Sequence, residues 1–411
     1  MLVSNRESEF SKVLNTGDVL VVAFGAMIGW GWVVSSGQWI TSGGVLGTVL
    51  GFIIGGIMIY FVGLCYAELT TAMPKCGGEH VFSYKAFGSI GAYICTWSII
   101  LSYIGVVCYE AVSFPTILQY VFPKIARGYL YSVGGFDIYF TWLLIAIGMA
   151  LLILFLNIIG MKKAARFQKI LTCVIAAVGI ALVAGAAYSG NVSNLQNQLL
   201  IGDTSGEIIQ NIAKVAIMTP FFLFGFDVIP QAAEEINVPL KKLGKMMIFS
   251  IIMAVSFYVL VVLAVGYVMD AGQIKTSTSS ATGLGTADAM GVAFNNANMA
   301  KVLIIGGLCG IVTSWNSFLI GGSRALYSMS VSYMLPRKFA VLHKKYNTPV
   351  NSLLLIGALS VISPFFGRSM LVWIVDAGNF ACCFAYCIVS LSFIVLRRKE
   401  ADMRRPYKVK H

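Results

Sequence analysis

Charge is scarce in this chain. Asp, Glu, Lys and Arg make up 11% of its 411 residues, against about a quarter in an ordinary soluble domain. Histidine is nearly absent. The three, His80, His343 and His411, stand in loops or at the terminus, and none pairs with an acid at metal-ligand spacing. There is no GxxxxGK(S/T) phosphate loop, which argues against an ATP-driven pump. No GxSxG elbow and no CxxC pair occur, so nothing points to a hydrolase, a redox enzyme or a zinc site. The expectation is a protein that is not an enzyme and uses no metal or cofactor.

What is abundant is apolar surface. Hydrophobic residues fill 58% of positions and mean hydropathy is +0.83. No water-soluble fold hides that much, so lipid is the solvent. The first sixteen residues carry charges of both signs, unlike a cleavable leader, so the first apolar span is expected to stay in the protein. A span needs about 20 apolar residues to cross roughly 30 Å of hydrocarbon. Ten such stretches lie near 17–40, 44–70, 91–122, 136–159, 168–189, 209–233, 244–269, 301–332, 350–366 and 369–396. The third and eighth are long enough to tilt or project; the ninth is short and interrupted by Pro364.

The formal net charge of +12 is explained by topology rather than by a nucleic-acid partner. With the N-terminus placed in the cytoplasm, 23 of the 29 Lys and Arg fall inside, from Arg6 to the tail cluster at Arg397, Arg398 and Lys399. Only Lys124, Arg127, Lys214, Lys275, Lys301 and Arg368 fall outside. That is the positive-inside pattern, with both termini cytoplasmic in a cell membrane. Outer loops are short except 190–208 and 270–300; TSTSSATGLGTA in the latter reads as a solvated loop. Gly47, Gly51 and Gly55, four apart, suit close helix packing.

Two spans carry defects. The first reads VVAFGAMIGWGWVVSSG, with Gly25, Gly29 and Gly31; the sixth reads MTPFFLFGFDVIPQAAEE, with Pro220, Gly225, Asp227 and Pro230. Glycine weakens a helix and proline removes a donor, so both spans are expected to unwind mid-membrane. Interruptions at matching places in two five-helix halves mark the binding site of a secondary transporter.

Several segments resemble the amino acid–polyamine–organocation permeases. GAMIGWGW is similar to their helix-1 motif, YAELTTAMPKCGGEHVFSYKAFG (66–88) to their inner-loop signature, FFLFGFDVIPQAAEEINVP (221–239) to their helix-6 motif, and SRALYSMSVSYMLP (323–336) to their helix-8 ending. The resemblance runs over nearly the whole chain. It implies an all-α integral membrane protein of about ten transmembrane helices, a five-plus-five inverted repeat with unwound helices 1 and 6, and alternating access. The corresponding division is 1–16 as a cytoplasmic segment, 17–190 and 209–396 as the two repeats, and 397–411 as a basic cytoplasmic tail. The sequence departs from the family at Trp30, usually a small hydroxylated residue, and at His80, usually Tyr. Ile175 stands at the expected counterpart of a lysine that replaces sodium in some relatives. RRPYKVK lies where relatives usually continue into two more helices.

An unwound first span leaves amides near Gly29 to Trp32 that suit a carboxylate. Carbonyls near Gly25, Ala26 and Met27, and around Leu223 to Gly225, suit an ammonium. Trp30 narrows the pocket, stacks on a cation, or faces another helix; Gly31 belongs to the same turn. Phe221, Phe222 and Phe224 form a gate or pack the core. The resemblance adds Tyr103 and Phe318, because the family lines its pocket from those helices. Acids inside a membrane default to function, which makes Asp227, Glu110 and Asp376 candidates for coupling or gating. Ser314, with Thr313, Asn316 and Ser317, offers a sodium site with helix-1 carbonyls, or bonds to its own helix turn. Glu68 and Arg324 fit a gate or snorkelling charges, and Glu234 and Glu235 a solvated face.

The function expected is secondary transport of amino acids by symport or exchange, with the proton favoured over sodium as coupling cation and membrane lipid as surroundings. The alternatives are a polyamine or amine transporter, or a non-transporting amino acid sensor on the same fold.

Overall fold

In the computed structural model residues 10–280 and 283–410 are described, residues 368–372 by backbone alone. Arg6 with most of the N-terminal segment, Ala281 and Thr282 of the polar loop, and the Arg368 side chain lie outside the described residues.

The chain runs α1 (Thr16–Met27), α2 (Gly31–Val34), α3 (Ser36–Ala72), α4 (Glu79–Val121), a hairpin of β1 (Tyr129–Val133) and β2 (Phe136–Tyr139), α5 (Phe140–Ile158) and α6 (Met161–Ser189). It continues through α7 (Ser205–Leu223), α8 (Val228–Gln231), α9 (Leu240–Val268), α10 (Ala271–Ser279), α11 (Gly285–Ala293), α12 (Ala297–Val331), α13 (Val350–Ile362) and α14 (Gly367–Lys399). Among the described residues, eight helices are long and apolar enough to cross a membrane, and two shorter apolar ones, Thr16–Met27 and Val350–Phe366, complete ten spans. The polarity is that of a lipid-solvated protein. Phe61, Ile90, Ile217 and Phe380 face outward, while Glu68, Glu79, Glu110, Asp227, Glu235 and Arg324 are buried.

Local chemistry sets the breaks. Asn15 and Asp18 form a reciprocal capping box that starts α1. The helix ends at Met27, and regular turns resume at Gly31. Ser35 remains helical and donates its amide to Gly31 at 2.9 Å, and Trp39 donates to Ser35 at 2.9 Å, so α2 runs into the start of α3 as one outer half-helix. Gly44, at φ +77°, turns the chain sharply into the long part of α3. In α7, Pro220 weakens the last turn, Phe224 is extended, and Gly225 adopts φ +125°. A side chain at Gly225 is strained by that φ, and its Cβ would fall 2.8 Å from Ala26 Cβ. The two breaks therefore touch.

Long helices wall the breaks off from lipid. α4 packs along α12 and α14, and α3 lies against α7 and α9. The glycine stripe of α3 works as expected: Cβ atoms at Gly51 and Gly55 would reach Val215 and Thr219 of α7 at 2.7 and 2.5 Å.

Four expectations are corrected. The fourth span begins at Phe140, because 136–139 is a hairpin strand held by backbone pairing. The fifth begins at Met161, so a basic, amphipathic turn precedes its apolar run. The loop at 270–300 carries α10 and α11, and Leu284, Gly285, Thr286 and Ala287 are buried rather than solvated, with Thr286 Oγ1 donating to Trp32 O at 2.7 Å. Glu235 is not on a solvated face: it is buried against the fully buried Arg324, Nε to Oε1 2.8 Å and Nη2 to Oε2 3.3 Å.

That pair fastens the end of α8 to α12. Removing one partner of a buried pair leaves an uncompensated charge and costs about 3–5 kcal/mol. Arg324→Met is therefore expected to lower the thermal unfolding midpoint of the purified protein sharply, and Arg324→Met combined with Glu235→Leu to recover most of it. A single variant as stable as the parent contradicts this account.

Candidate substrate-binding site

The gap between α1 and α2 leaves backbone groups unpaired. The amides of Gly29, Trp30, Gly31 and Trp32 have no protein acceptor among the described residues. At the other side of the gap, Met27 O accepts the Tyr258 hydroxyl at 3.0 Å and keeps a second lone pair. Unpaired backbone at this depth is tolerated only beside a cavity or protein, and a cavity of about 460 Å3 opens there.

Twelve of the residues singled out from sequence line it. Ala26, Met27, Gly29, Trp30 and Gly31 come from the first break; Phe221, Phe222 and Phe224 come from the second. α4 supplies Glu110, α12 supplies Ser314 and Phe318, and α14 supplies Asp376. Four others stand behind the wall: Gly25, Tyr103, Gly225 and Asp227. Sequence reasoning missed Tyr109 beside Glu110, Met218 one turn before the sixth-span break, Tyr258 on α9 and Asn379 on α14. Tyr109 was legible as the neighbour of a membrane acid; the other three carried no signal.

Aromatic rings run continuously along the wall. Tyr103 meets Phe318 at 5.4 Å between centroids, Phe318 meets Phe224 at 5.0 Å, and Phe221 meets Phe222 at 4.8 Å. Phe222 sets the edge of its ring against Gly31, whose added Cβ would be 2.6 Å from Cδ1 and Cε1, so this phenyl group bridges the two broken helices. Trp30 does two things at once: its ring packs on Gly307 of α12, 2.3 Å from where a Cβ would be, and its edge lines the cavity.

The acids differ in setting. Glu110 is buried, with Oε1 3.4 Å from a Cβ placed on Gly29 and Ser314 Oγ 3.6 Å from the same point. Its Oε2 has no protein hydrogen-bond partner. Asp376 is exposed at the cavity's edge, not buried as its mid-span position suggested. Asp227 is enclosed: it accepts from the Gly225 amide at 2.7 Å, from Tyr386 Oη at 2.9 Å and from Tyr103 Oη. Its present work is to cap the backbone freed at Gly225.

Behind the first break, Gly25 faces α6 and α12. An added Cβ would meet Gln168 Nε2 at 2.6 Å and Thr172 Oγ1 at 3.1 Å. Gln168 Nε2 donates to Thr313 O at 3.0 Å and Ser317 Oγ at 2.8 Å; Asn316 donates back to Gln168 Oε1 at 2.7 Å, and Ser317 Oγ donates to Val22 O at 3.1 Å. Of the set considered for sodium, Ser317 Oγ and the Asn316 amide are thus engaged by Gln168, Thr313 Oγ1 donates to Gly310 O of its own helix at 3.0 Å, and Ser314 stands at the cavity. Ile175 is buried further along α6, and the notch is faced by Gln168 and Thr172. No group of three or more His, Cys, Asp or Glu that would hold a metal occurs among the described residues.

Residues 14–410 match the family model described as amino acid permease. The chain belongs to the amino acid permease family. It is a multi-pass membrane permease and not an enzyme. The chain is similar to the branched-chain amino acid permease BcaP of Bacillus subtilis (strain 168), 26% identical over 98% of this chain and 84% of that one. It is also similar to the methylthioribose transporter of the same organism, at 23% over 98% and 85%, and to its aspartate-proton symporter, at 25% over 99% and 77%. These amino acid permease relatives are named for chemically different substrates, so identity at this level does not choose among them.

Gly29 gives the sharpest test of the permease cavity. A bulky side chain there meets Glu110 and Ser314 and must fill the space before the free amides. Gly29→Phe is expected to reduce binding of a transported amino acid at least about 100-fold, roughly 2.7 kcal/mol, with normal folded yield. Equilibrium binding to purified protein measures it; wild-type affinity removes the site from this break.

Proposed function

We propose that this permease carries amino acids across a cell membrane by alternating access between two five-helix halves, 17–190 and 209–396, coupled to protons. Residues 1–16 and 397–411 then lie in the cytoplasm, in keeping with the basic residues on that side. The observation that carries the reading is the meeting, at one cavity, of the unpartnered amides of Gly29, Trp30 and Gly31 with the unpartnered Oε2 of Glu110.

The chemistry follows from charge. The amides, at the start of the half-helix formed by α2 and the first part of α3, suit the substrate carboxylate. The free lone pair of Met27 O, with the carbonyls of the second break, suits the ammonium. An ionised Glu110 would stand next to the bound carboxylate, and two like charges about 4 Å apart repel by about 4 kcal/mol at an effective dielectric of 20. Protonating Glu110 removes the repulsion and turns the carboxyl into a donor. Proton and amino acid then bind together, which is the thermodynamic content of symport. Phe221, Phe222, Phe224 and Trp30 exclude water and select the side chain. Engagement of Asn316 and Ser317 by Gln168, and of the Thr313 hydroxyl by Gly310 O, favours the proton over sodium.

A second reading has one observation in its favour: Glu110 and Asp376 both face the cavity, which suits an amine or a polyamine. The two readings predict opposite pH dependence. For an amino acid, affinity falls as rising pH ionises Glu110, and Glu110→Gln abolishes that dependence while retaining tight binding. For an amine, affinity rises with Glu110 ionisation and Glu110→Gln loses binding. Binding titrations across pH with labelled amino acids and with putrescine decide; the second pattern sinks the amino acid proposal.

The cation is tested separately. Uptake into proteoliposomes under an inward pH gradient is expected to be unchanged when potassium replaces all sodium. A strict sodium requirement would count against the role given to Gln168.

A further inference from the structure

Among the described residues five carboxylates are buried: Glu68, Glu79, Glu110, Asp227 and Glu235. The fold neutralises two of them with arginine. Glu68 takes Arg397 Nη2 at 2.6 Å and Arg405 Nε at 3.1 Å, and Glu235 takes Arg324. Glu110 belongs to the cavity. Glu79 and Asp227 remain, both fully buried, and no cationic side chain pairs with either among the described residues.

These two share one cluster behind the aromatic wall. Tyr103, whose ring lies tilted against Phe318 of the cavity, donates to Asp227, as does Tyr386. The Tyr386 ring touches Tyr66 at 5.5 Å, and Tyr66 faces Glu79. Gln231, four residues after Asp227, donates its amide to Glu79 Oε2. The groups facing the pair come from four elements: Tyr66 of α3, Cys95 and Tyr103 of α4, Gln231 of α8, and Cys382 and Tyr386 of α14. All are neutral. His80, the next residue, turns away to Thr96 Oγ1 at 2.9 Å and Ser332 Oγ at 2.7 Å.

The hydrogen-bond inventory separates the two acids. Asp227 accepts from three donors, as a carboxylate does. Glu79 accepts from one, and its Oε1 has no protein partner; Gln231 Oε1 and the Tyr66 hydroxyl also have none. Glu79 Oε1 and Gln231 Oε1 are thus two open acceptors with one open donor beside them, the Tyr66 hydroxyl, and one added proton balances the set. Two unpaired charges in such an interior cost several kcal/mol each, and neighbouring carboxyls share a proton rather than both ionise.

We propose that Glu79 is a second proton-binding site of this permease: with Asp227 as the carboxylate, it holds the coupled proton on the terminus-bearing side of the substrate cavity. The groups that connect the cavity side to the pair are the Tyr103 hydroxyl, behind Phe318, then Asp227, then the Tyr386 and Tyr66 hydroxyls, then Glu79. α8 controls it. Asp227 precedes that helix and Gln231 ends it, while the Gly77 amide bonds to Gln231 O at 3.2 Å, tying the inner loop to the same turn. A shift of α8 during alternating access changes both contacts of the pair at once. The transport role rests on proton coupling as proposed above; the protonated carboxyl does not.

Infrared spectroscopy of the purified protein in lipid, without substrate, reads the carboxyl directly. A protonated-carboxyl band sensitive to deuterium is expected in the wild type, lost in Glu79→Gln and retained at a shifted frequency in Glu79→Asp. Tyr66→Phe is expected to move the band, and serves if Glu79→Gln does not fold. Bands unchanged in Glu79→Gln, or in Tyr66→Phe where only that variant folds, overturn the proposal. In proteoliposomes a gradient of one pH unit drives up to about tenfold accumulation. Glu79→Gln is expected to abolish it while leaving amino acid counterflow intact. Wild-type accumulation in Glu79→Gln overturns the transport role. A Glu79-dependent band in a protein that carries no amino acid would sink the functional reading and leave the proton site standing.

Discussion

Everything in this fold answers to the cost of an unsatisfied peptide group in hydrocarbon, several kcal/mol each. Two helices are broken at mid-depth, and the structure around them keeps lipid away and finds partners for the freed groups. α12 and α4 press against the breaks; Gly310 lets α12 approach so closely that a Cβ there would lie 2.5 Å from Gly29 O. Tyr258 takes Met27 O, and Asp227 takes the Gly225 amide. The amides of Gly29, Trp30 and Gly31 have no such partner, and these three residues line the cavity.

Charge follows the same logic in two modes. Glu68 and Glu235 meet arginines in short, largely buried contacts, which makes them fixed fasteners at the terminus-bearing end. Glu79, Glu110 and Asp227 meet only hydroxyls, amides and backbone. A buried acid paired with arginine has its charge compensated in place; one without a cation is compensated by taking up a proton. The second kind can couple a proton to a movement, and all three lie on or beside the broken helices.

Most of the architecture was legible because membrane crossing imposes a length and a polarity that one sequence displays. The breaks were legible too, since Gly29, Pro220 and Gly225 are residues with few other reasons to stand mid-span. What escaped was pairing between distant segments. Glu235 read as solvated because its partner, Arg324, lies on α12 and only folding brings them together. Gln168 read as nothing, lying at the edge of a basic turn, yet its amide meets α1 and α12. The hairpin at 129–139 escaped because its pairing is carried by backbone, and Phe136 and Ile138 read as the start of a span. Asp376 was misjudged for a different reason: mid-span does not mean buried when the helix flanks a cavity.

On the proposed reading, the division between backbone and side chain accounts for how one family serves relatives named for branched-chain amino acids and for aspartate. In that reading, the amides of the first break and the carbonyls of both breaks hold what every amino acid shares. Those groups depend on glycine positions and helix ends, which tolerate little change. The groups left to discriminate are side chains on other elements, such as Tyr109, Met218, Ser314, Phe318 and Asn379. Trp30 sits between these roles. It stands in the break, yet its ring is anchored on Gly307, so its reach into the cavity is fixed by α12 rather than by the substrate. A smaller residue there would enlarge the cavity and remove the ring's packing on α12 together, so on the proposed reading size selection and alternating access are coupled at one side chain.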